Sequence, residues 1–389
     1  MHTQSLNQAA KLVHAFEHQD AVFSSGFGSL REAIRKRVFP ASSVAVTRDG
    51  QLRALRAFGR FTYAENSPEV MPTTIFDLAS LTKPVATTSM AMILYERGLL
   101  ELDAPVAGTV PEFRSAEDPR REAITFRMLL AHSSGLPAYE KLFLRARSRE
   151  ELLQAAFATP LTADPGTRAE YSDIGFIVLG IALERIAEES FDSFCRREVF
   201  GPLAMGNTAF NPPQEIWSDI PSTADERREE GEKSAGTSDK PRSTFRKRII
   251  QGEVQDENAY VLGGVAGHAG LFSTAEDLAR FAHAILLGGA PIVRPETTAL
   301  FTKRQNQPAG TSRALGWDTP SNPSQSGRYF GPASYGHLGY TGTSLWIDPE
   351  RKLSITLLTN RTWPDCGNQA IKQVRPQFHD AVIEAITRE

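Results

Sequence analysis

The sequence predicts an α+β fold: one antiparallel β-sheet, built from both ends of the chain and flanked by N- and C-terminal helices, with an inserted all-helical region. Three observations predict it. A pair of β-type runs lies near the N-terminus, a second pair lies near the C-terminus, and the stretch between them carries helical periodicity. Strands at both ends with helices between them favour one sheet interrupted by an insertion.

Two segments near the N-terminus supply the first elements. Residues 9–23 place apolar side chains three and four positions apart, and this spacing predicts an amphipathic helix. The segment 42–59 then contains two β-type runs separated by Arg48-Asp49-Gly50. Asp-Gly is a strong hairpin signal, because these residues suit the tight turn between two strands. We therefore expect a helix followed by a hairpin.

A second pair of strands is predicted near the C-terminus. Residues 343–360 alternate apolar and polar side chains on both sides of the turn sequence Asp-Pro-Glu-Arg-Lys. Residues 368–387 then carry the apolar spacing of a helix that closes the chain. These elements complete the sheet that the N-terminal hairpin begins.

The middle of the chain has a helical pattern. Helical periodicity with Gly and Pro punctuation occurs in five segments: 80–98, 122–131, 150–158, 174–190 and 191–199. Residues 222–248 are charged and almost free of apolar side chains, which predicts a surface loop. We divide the chain into a sheet region, 1–105 and 255–389, and an inserted helical region, 106–254. A groove between two such regions is a natural place for a site.

Composition narrows the class of protein. The 389 residues are 23% charged with a formal net charge of −3, so nucleic acid or an anionic membrane surface is not an expected partner. No apolar stretch reaches the ~18–20 residues of a membrane span, and the N-terminus shows no signal-peptide pattern. We therefore expect a cytoplasmic protein, or an extracytoplasmic one if a leader has been removed. Cys195 and Cys366 lie in no CxxC pattern, which predicts neither a metal site nor a disulfide framework.

The strongest chemical signal is the sequence Ser80-Leu81-Thr82-Lys83. Residues three apart on a helix are neighbours, so the Ser80 Oγ and the Lys83 Nζ can meet. A serine is a good nucleophile when an adjacent base takes its proton, and a lysine can be that base if burial lowers its pKa. Pro84 is tolerated only near a helix start, which puts Ser80 at the positive end of a helix dipole. The alternative is that Ser80 caps a helix and Lys83 is solvated.

A second signal is the sequence Tyr171-Ser172-Asp173, which precedes an apolar helix. A tyrosine beside an ammonium group can act as a general base, because the positive charge lowers its pKa. The alternative makes Tyr171 a half-buried packing residue and Asp173 the N-cap of the helix.

A third signal is the segment 337–342, HLGYTG, which directly precedes a predicted strand. A Gly-rich strand edge lets a substrate backbone approach closely and supplies N–H donors. The alternative is a Gly-rich turn that enters the strand. Arg361, after the last predicted strand, is a candidate carboxylate anchor, although we favour a solvated strand-end arginine there.

In order and spacing, SLTK, YSD and HLG resemble the SxxK, YxN and Lys/His-x-Gly motifs of class C β-lactamases, DD-peptidases and related carboxylesterases. The similarity runs through most of the chain and includes FDLASLTK, LLAHSSGLP, PGTRAEYSDIGF and GHLGYTGTSLW. Residues 262–281 resemble a branch of bacterial serine hydrolases that reads HDENA…GHAGLF, although this chain has Gln255 where that branch has His. His268 in this stretch is a further site candidate.

The resemblance implies the two-region fold of the serine β-lactamase family and an acyl-enzyme mechanism without metal or organic cofactor. Ser80 would attack a carbonyl while Lys83 and Tyr171 take its proton. The backbone N–H groups of Ser80 and Tyr340 would hold the oxyanion. The residues expected to contact the substrate are Asp173, His337, Gly339, Thr341 and Arg361.

Two residues depart from the class C pattern. Asp173 stands where the family has Asn, and its carboxylate could ion-pair with Lys83 and raise the lysine pKa, which makes a poorer base. His337 stands where class C β-lactamases have Lys, and a neutral imidazole attracts a β-lactam carboxylate less strongly than an ammonium group does. Both departures argue against an efficient β-lactamase.

Three functions stay open. The leading hypothesis is a serine hydrolase that cleaves an ester or amide of a small acyl substrate, such as a simple ester, a D-peptide or a muropeptide. The others are a class C-like β-lactamase, and a penicillin-binding or sensor protein that is acylated without turnover. The sequence contains no G-x-S-x-G elbow, no HExxH and no P-loop, so an α/β-hydrolase, a zinc protease and a P-loop enzyme lack support.

Overall fold

A six-stranded sheet formed by both ends of the chain organises the computed structural model, which describes residues 12–227 and 244–388. Its strands follow the spatial order Val13–His14, Gln51–Gly59, Ala41–Arg48, Leu353–Thr359, Ser344–Asp348 and Tyr335–Leu338. The first pair is parallel and every other neighbouring pair is antiparallel. The predicted α+β class, with one sheet built from both ends, is confirmed.

The two predicted hairpins form at the expected turns. Asp49 and Gly50 have φ angles of +49° and +79°, and two consecutive positive φ angles give the turn type that matches the twist of a hairpin. The C-terminal pair joins Ser344–Asp348 to Leu353–Thr359 in antiparallel register. The helix Ile371–Arg388 then closes the chain, as predicted.

The prediction of an amphipathic helix at 9–23 is wrong for residues 12–23, which the structure describes. Val13–His14 is a short strand, and only Gln19–Val22 is helical; residues 9–11 lie outside the described range. The long N-terminal helix is Ser24–Arg35, whose Gly26 and Gly28 weaken the helical pattern in the sequence. Its apolar face packs on the C-terminal helix, and this tertiary contact outweighs the low propensity.

Helices cover both faces of the sheet, because successive residues of a strand point to opposite sides. Val44 and Val46 lie in one hydrophobic cluster with the helices Ser24–Arg35 and Ile371–Arg388. Ala45, between them, belongs to the larger cluster that contains the helix Ala275–Leu286 on the other face. The alternation along one strand thus joins three layers.

The larger cluster continues into the helical part of the chain, and each of the five predicted helical segments contains a helix. The remaining α-helices are Ser89–Glu96, Phe126–Leu130, Arg149–Phe157, Asp173–Ala187, Phe191–Cys195, Glu257–Val261 and Pro295–Thr302. Ser89–Glu96 packs against Asp173–Ala187 and Phe191–Cys195, so it contacts the helical region although the predicted boundary at 105 assigns it to the sheet. In residues 12–227 and 244–388, no helix combines the length and apolarity that a membrane crossing requires.

Short strands complete the fold between the sheet and the helices. Phe76–Asp77, Leu271–Ser273 and Ala209–Phe210 form a three-stranded sheet, with Leu271–Ser273 in the middle. Ala224–Asp225 pairs antiparallel with Ile249–Ile250. The strand Phe76–Asp77 of the three-stranded sheet lies directly before Ser80 in sequence. This sheet therefore helps to position the segment that carries Ser80.

The predicted surface loop at 222–248 has buried ends. The side chains of Glu226 and Arg246 form an ion pair and are each 1% exposed. Arg246 also donates to the carbonyl oxygens of Val254 and Gln255, at 2.7 and 2.8 Å. The prediction of a surface loop is therefore wrong at these ends, because a paired and hydrogen-bonded charge can be buried; residues 228–243 lie outside the described range.

Replacement of Glu226 should destabilise the fold strongly. Glu226→Ala leaves the buried Arg246 guanidinium without its counter-charge, and such a loss costs about 3–5 kcal/mol. The measurement is the free energy of unfolding by denaturant titration. Glu112→Ala, which breaks the exposed ion pair with Arg185, is the matched control and should cost at most about 1 kcal/mol. Equal losses in the two variants would contradict this account.

Candidate active site

Ser80 lies at the start of a helical run that changes type along its length. The 3₁₀-helix Ala79–Leu81 leads into the π-helix Lys83–Thr88 and then into the α-helix Ser89–Glu96. The predicted helix start near Ser80 is confirmed. Ala79 has a φ angle of +48°, which is uncommon for a residue other than glycine, and the Asp77 carboxylate accepts its N–H at 2.8 Å. Asp77 therefore holds the strained turn that presents Ser80.

The side chains of Ser80, Lys83 and Tyr171 form a triangle. The Lys83 Nζ lies 3.0 Å from the Ser80 Oγ and 2.5 Å from the Tyr171 hydroxyl, and the hydroxyl lies 2.7 Å from the Ser80 Oγ. Lys83 is fully buried, so the alternative of a solvated lysine is wrong. The three residues selected from separate sequence motifs thus meet at hydrogen-bonding distance.

Asp173 completes the surroundings of the lysine. Its Oδ1 lies 2.6 Å from the Lys83 Nζ and 3.0 Å from the Tyr171 hydroxyl. The N-cap of the helix is Ser172, whose hydroxyl accepts the N–H of Gly175 at 3.0 Å, so the suggestion that Asp173 caps this helix is wrong. Because Ser172 provides the cap, the Asp173 carboxylate is available to Lys83.

Burial and charge push the pKa values of the two proton-handling groups apart. Burial lowers the pKa of Lys83, while the nearby Asp173 carboxylate opposes that shift. Burial raises the pKa of Tyr171 well above its usual value, and Asp173 raises it further. The net pKa of Tyr171 is therefore raised, opposite to the lowered pKa that the sequence predicted. A neutral phenol beside an easily deprotonated amine suits a proton relay in which the amine is the final acceptor.

The His132 ring packs against the Tyr171 ring. It lies between the rings of Tyr171 and Phe176, with centroid distances of 4.7 and 4.9 Å. The backbone N–H of Ser172 donates to the His132 Nδ1 at 2.9 Å, so this nitrogen carries no proton. Burial holds the pKa of His132 well below its usual value. A neutral imidazole thus fixes the tyrosine ring without adding charge, and the stretch LLAHSSGLP is the sequence signal that contains it.

His337 lies on the strand Tyr335–Leu338 at the edge of the sheet, and its ring centroid is 6.1 Å from that of Tyr171. Burial lowers its pKa to about 4, so the ring is neutral at pH 7. Its Nδ1 lies 2.8 Å from the carbonyl oxygen of Leu338, which can only accept, so the proton is on Nδ1. The Nε2 lone pair is therefore an acceptor, which suits a substrate N–H or O–H and repels a carboxylate.

The residues after His337 pack closely on the segment that carries Ser80. A Cβ added to Gly339 would lie 2.6 Å from the Leu78 carbonyl oxygen and closer still to Thr343, so this position accepts only glycine. The Thr341 hydroxyl is buried and donates to the carbonyl oxygen of Asp77 at 2.9 Å, so it braces the backbone instead of facing the substrate. Tyr340 is 49% exposed.

Arg361 is buried, so the favoured alternative of a solvated strand-end arginine is wrong, and two of its guanidinium nitrogens are used within the protein. It is 5% exposed and donates to the carbonyl oxygens of Tyr340 and Cys366, at 2.6 and 3.0 Å. Its guanidinium carbon also lies 4.4 Å from the centroid of the Tyr340 ring. With these donors engaged, the side chain braces the loop that follows Gly339.

Arg313 is the cation that sequence reasoning missed. Its guanidinium carbon lies 5.5 Å from the centroid of the Tyr171 ring, and it pairs with Asp318. Its positive charge lowers the pKa values of both Lys83 and His337. Arg313 lies in a stretch without a recognisable motif, so only the folded chain reveals its place beside the triangle.

Fold and sequence place this chain among serine hydrolases of the β-lactamase/DD-peptidase type. The family model described as Beta-lactamase matches residues 27–375, and the chain belongs to that family.

Two curated relatives are about a third identical to this chain over the residues that align. The N-acetylmuramyl-L-alanine amidase of Bacillus subtilis (strain 168) is 33% identical over 350 residues, which cover 83% of this chain and 77% of the relative. A protein of Escherichia coli (strain K12) named as a predicted D-alanyl-D-alanine carboxypeptidase is 30% identical over 347 residues, covering 83% and 79%.

Solved structures show the same fold. EstCE1, a hydrolase with promiscuous acyltransferase activity, superposes with a TM-score of 0.75 at 22% identity and covers 94% of this chain and 99% of its own. The class C β-lactamase from Rhodobacter sphaeroides gives a TM-score of 0.67 at 20% identity, covering 93% and 99%. At these identities the comparison establishes the fold.

Asp173→Asn should move the acidic limb of the kcat/KM profile to lower pH. The carboxylate stabilises the Lys83 ammonium ion, so its removal lowers the pKa of Lys83, and the free amine is then present at lower pH. The measurement is hydrolysis of the neutral ester p-nitrophenyl acetate across pH. Asp49→Asn, which removes an exposed carboxylate in the hairpin turn, should leave the limb unchanged. A limb that stays in place or moves to higher pH in the Asp173 variant would contradict this assignment.

Proposed function

We propose that this enzyme cleaves an amide or ester of a small acyl substrate through an acyl-enzyme on Ser80, and that D-peptides and muropeptide fragments are its substrate class. The observation that carries the proposal is the buried triangle of Ser80, Lys83 and Tyr171. The names of the two curated relatives support the substrate class, since both describe cleavage of an amide bond beside an alanine residue.

Acylation begins when the Ser80 Oγ attacks the substrate carbonyl carbon. Its proton passes to the Tyr171 oxygen as the phenol proton passes to the neutral Lys83 Nζ, which becomes an ammonium ion. The directions of the two pKa shifts support this route, because the phenol stays protonated at rest and burial favours the free amine. The lysine is thus the base and the tyrosine is the relay.

The same relay runs backwards to complete the cycle. Tyr171 gives its proton to the departing nitrogen or oxygen, and Lys83 returns a proton to the tyrosine. Water then attacks the acyl group, loses its proton along the same path, and Ser80 leaves as a hydroxyl. Each proton that enters the relay is returned, so this cycle is complete with the residues already named.

The backbone N–H groups of Ser80 and Tyr340 are proposed to bind the oxyanion. The close approach of Gly339 to the Leu78 carbonyl brings the strand end that carries Tyr340 against the turn that carries Ser80. The hydrogen bond from Thr341 to the carbonyl of Asp77 supports the same juxtaposition. Rigid N–H donors of this kind stabilise the transition state because they need no reorganisation as charge develops.

Arg313 is proposed to attract the anionic end of the substrate. Its guanidinium contacts the Tyr171 ring while it pairs with Asp318, whereas the neutral His337 presents a lone pair and Arg361 uses two of its nitrogens within the loop. A carboxylate drawn to Arg313 would lie near Tyr171, the residue proposed to protonate the leaving group. This arrangement favours a D-peptide with a free terminal carboxylate over a neutral ester, and we keep the predicted cytoplasmic location as part of the proposal.

Ser80→Ala should lower turnover by at least ~10³-fold, because the nucleophile is lost. In the wild type, a fluorophosphonate should add a single adduct that maps to Ser80 by intact mass and peptide analysis. Ser89→Ala, which removes a buried serine from the same helical run, is the control and should keep the adduct. A folded wild type without an adduct on Ser80 would overturn the proposed mechanism.

The same preparation separates the three candidate functions. Turnover of D-alanyl-D-alanine peptides or muropeptides is the expected result, with slow hydrolysis of nitrocefin because His337 is neutral. Nitrocefin as the best substrate would identify a β-lactamase instead. A stable acyl adduct without product release would identify a penicillin-binding sensor.

Arg313→Gln should raise KM for a peptide that ends in D-Ala-D-Ala by about 10–100-fold. This is the loss of affinity expected when one hydrogen bond between the guanidinium and the peptide carboxylate is removed. The same peptide with an amidated C-terminus is the control and should show an unchanged KM. Rates are compared above the acidic limb, since loss of this cation raises the pKa of Lys83. An equal change in KM for both peptides would contradict the carboxylate assignment.

A further inference from the structure

Residues 267–271 lie along the helical run that carries Ser80 and form the back of the active site. Hydrogen bonds tie the two together at three points: the Gly267 carbonyl accepts from Thr87 at 2.5 Å, the His268 carbonyl accepts from Lys83 at 3.1 Å, and the Leu271 N–H donates to Thr82 at 3.1 Å. The middle contact is with the lysine Nζ itself. The position of His268 therefore affects the group that takes the serine proton.

His268 is held in turn by Asp256. The His268 Nε2 lies 2.9 Å from the Asp256 Oδ1, and the histidine side chain is 1% exposed. The same carboxylate oxygen accepts the N–H of Ala259 at 2.7 Å and so caps the helix Glu257–Val261. The preceding residue, Gln255, donates its N–H to the Asp77 carboxylate at 2.7 Å. Asp256 is thereby fixed to the helix cap and, through the adjacent backbone, to the turn before Ser80.

The chemistry of a neutral lysine makes the His268 carbonyl important. A neutral amine has two N–H groups and one lone pair, and its four neighbours are not equivalent. The Asp173 carboxylate and the His268 carbonyl can only accept, whereas the hydroxyls of Ser80 and Tyr171 can donate. When the two acceptors take the two N–H groups, the lone pair must point toward the hydroxyls. Without the carbonyl, the lone pair would lose this fixed direction.

We propose that Asp256 and His268 are positioning residues for the general base: the Asp256 carboxylate fixes the His268 imidazole, and the His268 carbonyl then aims the Lys83 lone pair at Ser80 and Tyr171. The inference rests on the proposed function of the triangle. It assigns a role to two residues that neither touch the scissile bond nor belong to the three sequence motifs of the site.

Asp256 also adds negative charge near the base. The charged and titratable groups around Lys83 are Tyr171, Asp173, Asp256, Arg313, His132 and His337, together with the His268 imidazole that pairs with Asp256. Among them, the two carboxylates raise the lysine pKa and Arg313 lowers it. Replacing Asp256 by a neutral residue should therefore move the acidic limb to lower pH, whereas a change confined to hydrogen bonding should leave the limb in place.

The first test compares Asp256→Ala with Asp256→Asn in the full chain. Asp256→Ala removes both the hydrogen bond and the charge, and the rate of Ser80 labelling by a fluorophosphonate should fall by about 10²-fold, the effect of a reacting group misplaced by about 1 Å. Asp256→Asn keeps an acceptor oxygen for His268 and Ala259, so its rate should return to within about 3-fold of the wild type. Both variants should show the shifted acidic limb. KM for p-nitrophenyl acetate should stay unchanged, because the base does not bind the ester.

The control separates positioning from loss of a helix cap. Ser148 caps the helix Arg149–Phe157, because its hydroxyl accepts the N–H of Glu151 at 3.2 Å. Ser148→Ala removes this cap. It should lower Tm as the loss of a helix cap does and leave the labelling rate unchanged. A similar loss of labelling in this control would overturn the proposal.

A second pair of variants tests the histidine and covers the case in which Asp256→Ala does not fold. His268→Gln keeps a donor near the position of Nε2 and should label at nearly the wild-type rate, whereas His268→Leu should be slowed by about 10²-fold. The double variant of His268→Leu with Asp256→Asn should be no slower than His268→Leu alone, because the two residues act as one unit.

The outcomes separate this inference from the proposed function. A wild type that is not labelled on Ser80 would overturn the proposed function itself. A labelled wild type whose His268→Leu variant reacts at the same rate would overturn the positioning role alone. Equal slow rates in Asp256→Ala and Asp256→Asn, both folded, would also overturn it.

Discussion

The burial of the Lys83 amine among four oxygen atoms is the constraint on which the rest of the site depends. An amine without contact to water needs a partner in every direction, because unpaired buried polar groups are costly. Ser80 comes from the same helical run, Tyr171 and Asp173 come from the start of the apolar helix, and the His268 carbonyl comes from the segment before Leu271–Ser273. One nitrogen atom thus ties three separate parts of the chain together.

The sheet contributes by placing its edge strand against the same point. Tyr335–Leu338 ends beside the turn before Ser80, and the Thr341 and Thr343 hydroxyls donate to the carbonyls of Asp77 and Leu78. These bonds fasten the turn to the residues that follow the edge strand, and the Leu78 carbonyl also accepts the N–H of Leu81 at 3.1 Å. The fold therefore stabilises the strain at Ala79 with contacts from a turn between two strands, more than 260 positions away.

The sequence predicted the parts of the molecule that depend on local patterns. Both hairpins, the closing helix and the Ser80–Lys83 pair follow from spacing over a few residues, and all of them are present. Arg313 and the brace formed by Arg361 could not be predicted, because their partners are brought together only by the tertiary fold. The helix Ser24–Arg35 was missed for the same reason, since its glycines are tolerated only through packing on the C-terminal helix.

The exchange of the family's Asn for Asp173 makes physical sense when the surrounding charges are considered together. A carboxylate against Lys83 favours the ammonium ion, which would weaken the base, but burial acts in the opposite direction and Arg313 assists it. Asp173 and Arg313 both contact Tyr171 and shift the lysine pKa in opposite senses. A site balanced in this way can keep a strong acceptor for one amine N–H and still deprotonate the lysine, and it does so with His132 and His337 neutral.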